Sequence, residues 1–138
     1  MAPLILLVEE SETDVDLFRR ALEARGVANP MVAVKDGNAA HRYFAGEEPF
    51  GNREAYPLPG VLILNLDAPL KDGYEVLKWA RTQPHLKEVL IVVVSRLHNL
   101  SVVRNAYSLG ANWFLVKPFL PGDIEHLILG FPQYWTRK

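Results

Sequence analysis

Six polar side chains stand where apolar runs of the chain stop. Glu9 and Glu10 follow Leu4 to Val8, Asn65 and Asp67 follow Val61 to Leu64, Ser95 follows Val89 to Val94, and Lys117 follows Trp113 to Val116. Carboxylates gathered at one end of a sheet would suit a hard cation such as Mg²⁺, which takes oxygen ligands. A lysine and a hydroxyl opposite them would hold phosphoryl oxygens. The chemistry of such a set is phosphoryl transfer to a carboxylate, and the place for that nucleophile is occupied by the amide of Asn65, which has no anionic oxygen with which to attack. Each residue also has a plainer reading, since strand-end carboxylates are commonly solvated and a serine there commonly caps a turn. The ordered set is what carries weight.

The elements that must position these residues are legible from hydrophobic spacing. The runs Leu4 to Val8, Met31 to Val34, Val61 to Leu66, Val89 to Val94 and Trp113 to Val116 predict strands, several of them apolar on both faces, as parallel strands covered by helices must be. Between them, residues 12 to 25 place Val15, Phe18, Ala21 and Leu22 at helical spacing, with Ser11 and Asp14 as a capping box and Gly26 at the stop. Further helices are predicted over 38 to 45, 73 to 82, 99 to 109 and 123 to 130. Alternation of strand and helix predicts a five-stranded parallel α/β sheet with right-handed crossovers and helices on both faces. Its ligand site then lies at the carboxyl ends of the strands.

Composition bounds the function. At 138 residues the chain reads as one domain, large enough to bury roughly 68–70% of its unfolded surface. It has no cysteine, which removes disulfides, thiolate metal sites and thiol catalysis. His41, His85, His98 and His126 form no paired-ligand spacing. A net charge of −1 from 15 basic and 16 acidic residues, without a basic run, argues against nucleic acid. The apolar start from Met1 to Val8 lacks a basic flank and is too short for a membrane span or signal segment, so a cytoplasmic protein is expected. Residues 46 to 60, with three prolines and three glycines, form a long connection that is either functional or a plain surface insertion.

The chain resembles the CheY-like receiver domains of bacterial response regulators. The resemblance covers residues 3 to 131, with 132 to 138 as a tail. It rests on Leu6-Leu7-Val8-Glu9-Glu10, on Asn65-x-x-x-Pro69-x-x-x-Gly73, on Val92-Val93-Val94-Ser95, and on Gly110-Ala111-Asn112-Trp113-Phe114-Leu115-Val116-Lys117-Pro118. Ser95 falls 30 residues after Asn65 and Lys117 falls 22 after Ser95, separations typical of receivers. The segment through Tyr56-Pro57-Leu58-Pro59 and Tyr74 to Trp79 is similar to single-domain regulators associated with bacterial phytochromes.

The resemblance implies strand order 2-1-3-4-5 in a doubly wound, flavodoxin-like sheet. It implies Glu9 and Glu10 at the acidic pair that binds Mg²⁺, Asn65 at the phosphoacceptor, and Asp67 where the family uses a backbone carbonyl for the metal. Ser95 takes the place of the switch hydroxyl, Phe114 of the switch aromatic and Lys117 of the phosphate-site lysine, with a cis bond before Pro118. With Asn65 in place of aspartate, Mg²⁺ affinity is expected to be weak or lost, and no cofactor is required. Arg96 replaces a small residue and is expected to reach over the pocket to Glu9 or Glu10 as a permanent cation, against the plainer reading of a solvated arginine.

The function expected is therefore an atypical receiver, a pseudo-receiver in two-component signal transduction, that acts by protein binding and is not an enzyme. Its expected partners are a sensor histidine kinase, another signalling protein, or a second copy of the chain paired through the last helix and tail. The alternatives are a competent receiver phosphorylated on Asp67 or another carboxylate, and a flavodoxin-like binder, disfavoured because no phosphate-cradling loop follows the first strand. Trp113, Tyr134 and Trp135 form either an interaction surface or a tail packed on its own domain.

Overall fold

The computed structural model describes residues 2–67 and 73–138, together with the backbone but not the side chains of residues 70–72. Pro69 of the Asn65-to-Gly73 motif lies outside the described residues. Five strands alternate with five helices: β1 Ile5–Val8, α1 Glu12–Ala24, β2 Met31–Val34, α2 Gly37–Ala45, β3 Val61–Asn65, α3 Leu70–Thr82, β4 Leu90–Ser95, α4 Leu100–Ser108, β5 Trp113–Val116 and α5 Pro121–Gly130. The strands form one parallel sheet in the order β2-β1-β3-β4-β5. Ile5 pairs with both Met31 and Val61, Val61 with Leu90, and Val92 with Trp113. The direction of winding reverses between β1 and β3, which opens a crevice at their carboxyl ends.

The period-2 alternation of side chains divides the strand residues between two cores. Leu6, Val8, Leu62, Leu64, Ile91 and Val93 face α2, α3 and α4. Ile5, Leu7, Val61, Ile63, Val92 and Val94 face α1 and α5. Every one of these is buried, and burying a side chain of this size contributes roughly 1.5–3 kcal/mol. The all-apolar strands of the sequence thus serve a sheet covered on both sides.

Helix α1 ends as predicted at Gly26, whose φ of 76° permits the left-handed turn. There Val27 N–H donates to Leu22 O at 3.0 Å, Gly26 N–H donates to Glu23 O at 2.9 Å, and both Leu22 and Val27 are buried. Helix α3 starts at Leu70, earlier than the apolar period from Tyr74 implies, and takes Gly73 into its first turns. A Cβ at Gly73 would stand 2.7 Å from Leu66 Cδ2 and 3.0 Å from Asn65 O. The glycine is there for close approach: it lets α3 lie against the end of β3.

The long connection from 46 to 60 is ordered by one side chain. Arg53 donates to the carbonyls of Tyr43 at 3.0 Å, Phe44 at 2.8 Å and Tyr56 at 3.1 Å, capping the end of α2. Phe50 and Tyr56 close round the buried Tyr43, whose hydroxyl donates to Pro57 O at 2.8 Å. Burial raises the Tyr43 phenol to about 12.

The tail folds back on its own domain. Val27 and Arg137 form an antiparallel bridge, Ala28 N–H donates to Thr136 O at 2.6 Å, and Asn29 Nδ2 donates to Pro3 O and Tyr134 O at 2.7 and 2.9 Å. Trp135 is buried among residues of the α1 and α5 face.

Candidate functional site

The site residues are placed by extending the ladders one step past the strands. Glu9 N–H donates to Val34 O at 2.9 Å, Leu66 N–H to Val94 O at 2.9 Å, and Lys117 N–H to Ser95 O at 2.9 Å. The backbones of Glu9, Leu66 and Lys117 are therefore fixed at neighbouring strand ends. The peptide between Lys117 and Pro118 is cis, as the resemblance implies.

Glu9 is the hub. It is 3% exposed, and burial of a carboxylate is costly unless it is paired. Lys117 Nζ donates to Glu9 Oε1 at 2.7 Å, while Glu9 Oε2 accepts from Asn65 Nδ2 and from Ser11 N–H, each at 3.0 Å. Lys117, itself 8% exposed, gives a second hydrogen bond to Asp14 Oδ2 at 2.9 Å. Both carboxylate oxygens of Glu9 are satisfied, and the ammonium is shared between two acids.

Asp14 was read in the sequence only as half of a capping box, and half of that box forms. Ser11 Oγ accepts from Asp14 N–H at 3.2 Å, but Ser11 N–H goes to Glu9, which leaves the Asp14 carboxylate for Lys117. The available signal was an acid in the first turn of the helix that starts directly behind the strand-end acids.

Asn65 is oriented by its neighbours. Its Oδ1 accepts from Asp67 N–H at 2.9 Å, and its Nδ2 points at the Glu9 carboxylate. Flipping the amide would set Nδ2 against an N–H and Oδ1 against a carboxylate, two repulsive contacts in place of two hydrogen bonds. Towards Glu9 the position therefore presents a donor.

Asp67 turns to the other side. Its Oδ1 accepts from Ser95 Oγ at 2.7 Å and from Arg96 N–H at 2.9 Å, and its Oδ2 lies 3.1 Å from the same N–H. The Ser95 hydroxyl in turn accepts from Leu97 N–H at 3.0 Å. The Arg96 guanidinium lies 3.7 Å from Asp67 Oδ2 and is 66% exposed.

One expectation is corrected by this arrangement. Arg96 does not reach Glu9 or Glu10, because Lys117 and Asn65 already satisfy Glu9 and the acid beside Arg96 is Asp67. Glu10 is exposed and, among the described residues, takes no part in the network. Phe114 is half-buried and packs against the core on the α2, α3 and α4 face.

The donor set as arranged does not fit a hard dication. Lys117 neutralises Glu9, Asn65 turns an N–H towards it, and among the described residues no three His, Cys, Asp or Glu side chains are grouped to hold a metal ion. Beside the network runs an open groove of about 740 Å³ between α1 and the β5–α5 connection, lined by Leu17, Phe18, Ala21 and Phe119 with Arg96 and Lys117 at its rim.

Residues 5–129 match the response regulator receiver domain family. The chain belongs to that family. Among curated relatives, this receiver is 32% identical to response regulator Rcp1 of Synechocystis sp. over 132 residues, 96% of the chain and 88% of Rcp1. The structure of the Mn²⁺-bound form of Rcp1 superposes with a TM-score of 0.75 at 30% identity, covering 96% of this chain and 93% of that one. The bacteriophytochrome response regulator RtBRR matches at TM-score 0.85 and 32% identity, covering all of the receiver and 82% of RtBRR. The phosphorylated cyanobacterial phytochrome response regulator RcpA matches at 0.78 and 30%, covering 98% and 94% of the two chains. The CheY-like fold and the kinship with phytochrome response regulators, both expected from the sequence, are thus established. Among the described residues, no helix of the receiver is long and apolar enough to cross a membrane.

Proposed function

We propose that this receiver is a cytoplasmic pseudo-receiver of a two-component system, signalling by protein–protein contact without an aspartyl-phosphate intermediate and without catalysis of its own. One observation carries the reading: Asn65 donates Nδ2 to Glu9 Oε2 at 3.0 Å and accepts from Asp67 N–H through Oδ1. The acceptor position is a neutral bridge between the Glu9 carboxylate and the Asp67 backbone N–H and holds no nucleophile. Mg²⁺ is bound weakly or not at all, because position 65 offers no anionic oxygen and turns an N–H towards Glu9.

Similarity to Rcp1, RtBRR and RcpA favours a phytochrome-type sensor histidine kinase as the partner, with another signalling protein or a second copy of the chain as the remaining candidates. No role for nucleic acid is proposed. A kinase of that type should bind the receiver equally well with and without ATP.

Incubation with acetyl phosphate and Mg²⁺ or Mn²⁺, followed by intact-mass measurement, tests the reading. The expected spectrum is that of the unmodified chain. Gain of one phosphoryl group would overturn it and favour Asp67 or another carboxylate as acceptor.

A further inference from the structure

Two main-chain and side-chain donors converge on Asp67 from the β4–α4 connection. Ser95 Oγ at 2.7 Å and Arg96 N–H at 2.9 and 3.1 Å enclose the carboxylate, with the Arg96 guanidinium outside it at 3.7 Å. The hydroxyl is 1% exposed at the residue level and is held in place by Leu97 N–H, so its proton has a fixed direction. A hydroxyl proton and a backbone N–H directed at one carboxylate form a receptor for a small oxyanion, since hydrogen bonds to a charged acceptor are the stronger kind. Asp67 is bound to that receptor through two of its own oxygens. On its other side, its backbone N–H is fastened to Asn65.

We propose that Asp67 is a built-in ligand: its carboxylate fills an oxyanion site formed by Ser95 Oγ and the Arg96 N–H and so ties the β3–α3 turn to the β4–α4 connection without phosphate. The inference rests on the reading of Asn65 as a non-acceptor and adds how the site is kept occupied. The ligand class that the cradle takes once vacated is a tetrahedral oxyanion, of which inorganic phosphate is the simplest. The exposed surface beyond the cradle, Leu97 and Leu100 at the entrance to α4, is then held in one arrangement by an intramolecular contact.

Inorganic phosphate is the probe, titrated at constant ionic strength into the unmodified chain, Asp67→Ala and Asp67→Asn, with the backbone amide resonances of Arg96 and Leu97 as readout. Asp67→Asn keeps the size of the side chain and half its hydrogen bonding, and so guards against a folding failure of the alanine variant. The unmodified chain should show no saturable shift. Asp67→Ala should bind phosphate saturably, Asp67→Asn more weakly because its amide oxygen can still accept from Ser95 Oγ, and the Arg96 amide should exchange with solvent faster by on the order of tenfold in Asp67→Ala.

Saturable binding by the unmodified chain, or no phosphate binding in either variant, overturns the proposal. Phosphorylation by acetyl phosphate would instead overturn the pseudo-receiver reading, and mass measurement separates the two failures because free phosphate leaves the mass unchanged.

Discussion

Lys117 Nζ lies 2.9 Å from Asp14 Oδ2, a contact between residues 103 positions apart that joins the end of β5 to the first turn of α1. The same ammonium is 2.7 Å from Glu9 Oε1, and the side chains of Lys117 and Glu9 are only 6% and 2% exposed. Removing one member of a buried pair leaves the other charged and desolvated, which costs more than the pair itself contributes. Lys117→Ala should therefore destabilise the chain by about 3 kcal/mol or more. Asp14→Ala, which removes the more exposed acid and leaves the Glu9 contact, should cost about 1 kcal/mol. Urea denaturation midpoints check both, and equal losses would show that the Asp14 contact, not the Glu9 contact, carries the effect of Lys117.

Asn65→Asp should lower stability, even though it restores the side chain expected at a phosphoacceptor. The substitution replaces a hydrogen bond to Glu9 Oε2 with a second carboxylate about 3 Å away, so two like charges compete for the ammonium of Lys117. A loss of about 2 kcal/mol is expected without metal, and millimolar Mn²⁺ should restore much of it. Thermal unfolding with and without Mn²⁺ measures this. A metal-insensitive midpoint would show that Asn65 is not what keeps a dication out.

Arg96→Ala should change stability by less than about 0.5 kcal/mol, because the guanidinium is exposed and 3.7 Å from its acid. What Arg96 supplies to Asp67 is mainly its backbone N–H, which alanine retains. A large loss on denaturant unfolding would restore the side chain to the importance that the sequence suggested for it.

The network was legible in its members but only partly in its pairings. Glu9, Asn65, Asp67, Ser95 and Lys117 all follow apolar runs, and parallel pairing alone brings such strand ends together. Asp14 was hidden because a Ser-x-x-Asp pattern has a sufficient local explanation as a cap, and only the three-dimensional arrangement shows Ser11 N–H committed to Glu9. Arg96 was read through its side chain, since a sequence displays guanidinium groups and not the direction of an N–H. The early start of α3 was obscured by Gly73, which resembles a helix breaker until the proximity of Leu66 is known.

Gly73→Ala should destabilise the chain by about 1–3 kcal/mol even though alanine is the better helix former, because its Cβ would overlap Leu66 Cδ2 at 2.7 Å. Denaturant unfolding reads the cost. A gain in stability would mean that α3 can shift away from β3 freely.

The contribution of Tyr43 to stability should be constant up to about pH 10 and then be lost as pH approaches about 12. Its folded value is raised above the usual 10.0 by burial, so the folded state holds the proton longer than the unfolded chain does. The stabilisation is complete below the unfolded value and is lost as pH rises through the folded one, with a total on the order of 2 kcal/mol. Tyr43→Phe should flatten most of this alkaline slope while losing the hydrogen bond to Pro57 O. An unchanged slope would assign the effect to another group.

The amide bridge from Asn65 to Glu9 and Asp67 makes substitutions at this site dependent on their order. Replacing Asn65 by aspartate first crowds a new anion against Glu9 while Asp67 still fills the cradle at Ser95. Removing Asp67 first vacates that cradle while position 65 still lacks a nucleophile. On the reading proposed above, each single step leaves one obstacle to phosphate acceptance in place. On the pseudo-receiver reading, a phosphate-accepting site therefore lies two coupled substitutions away from this arrangement, not one.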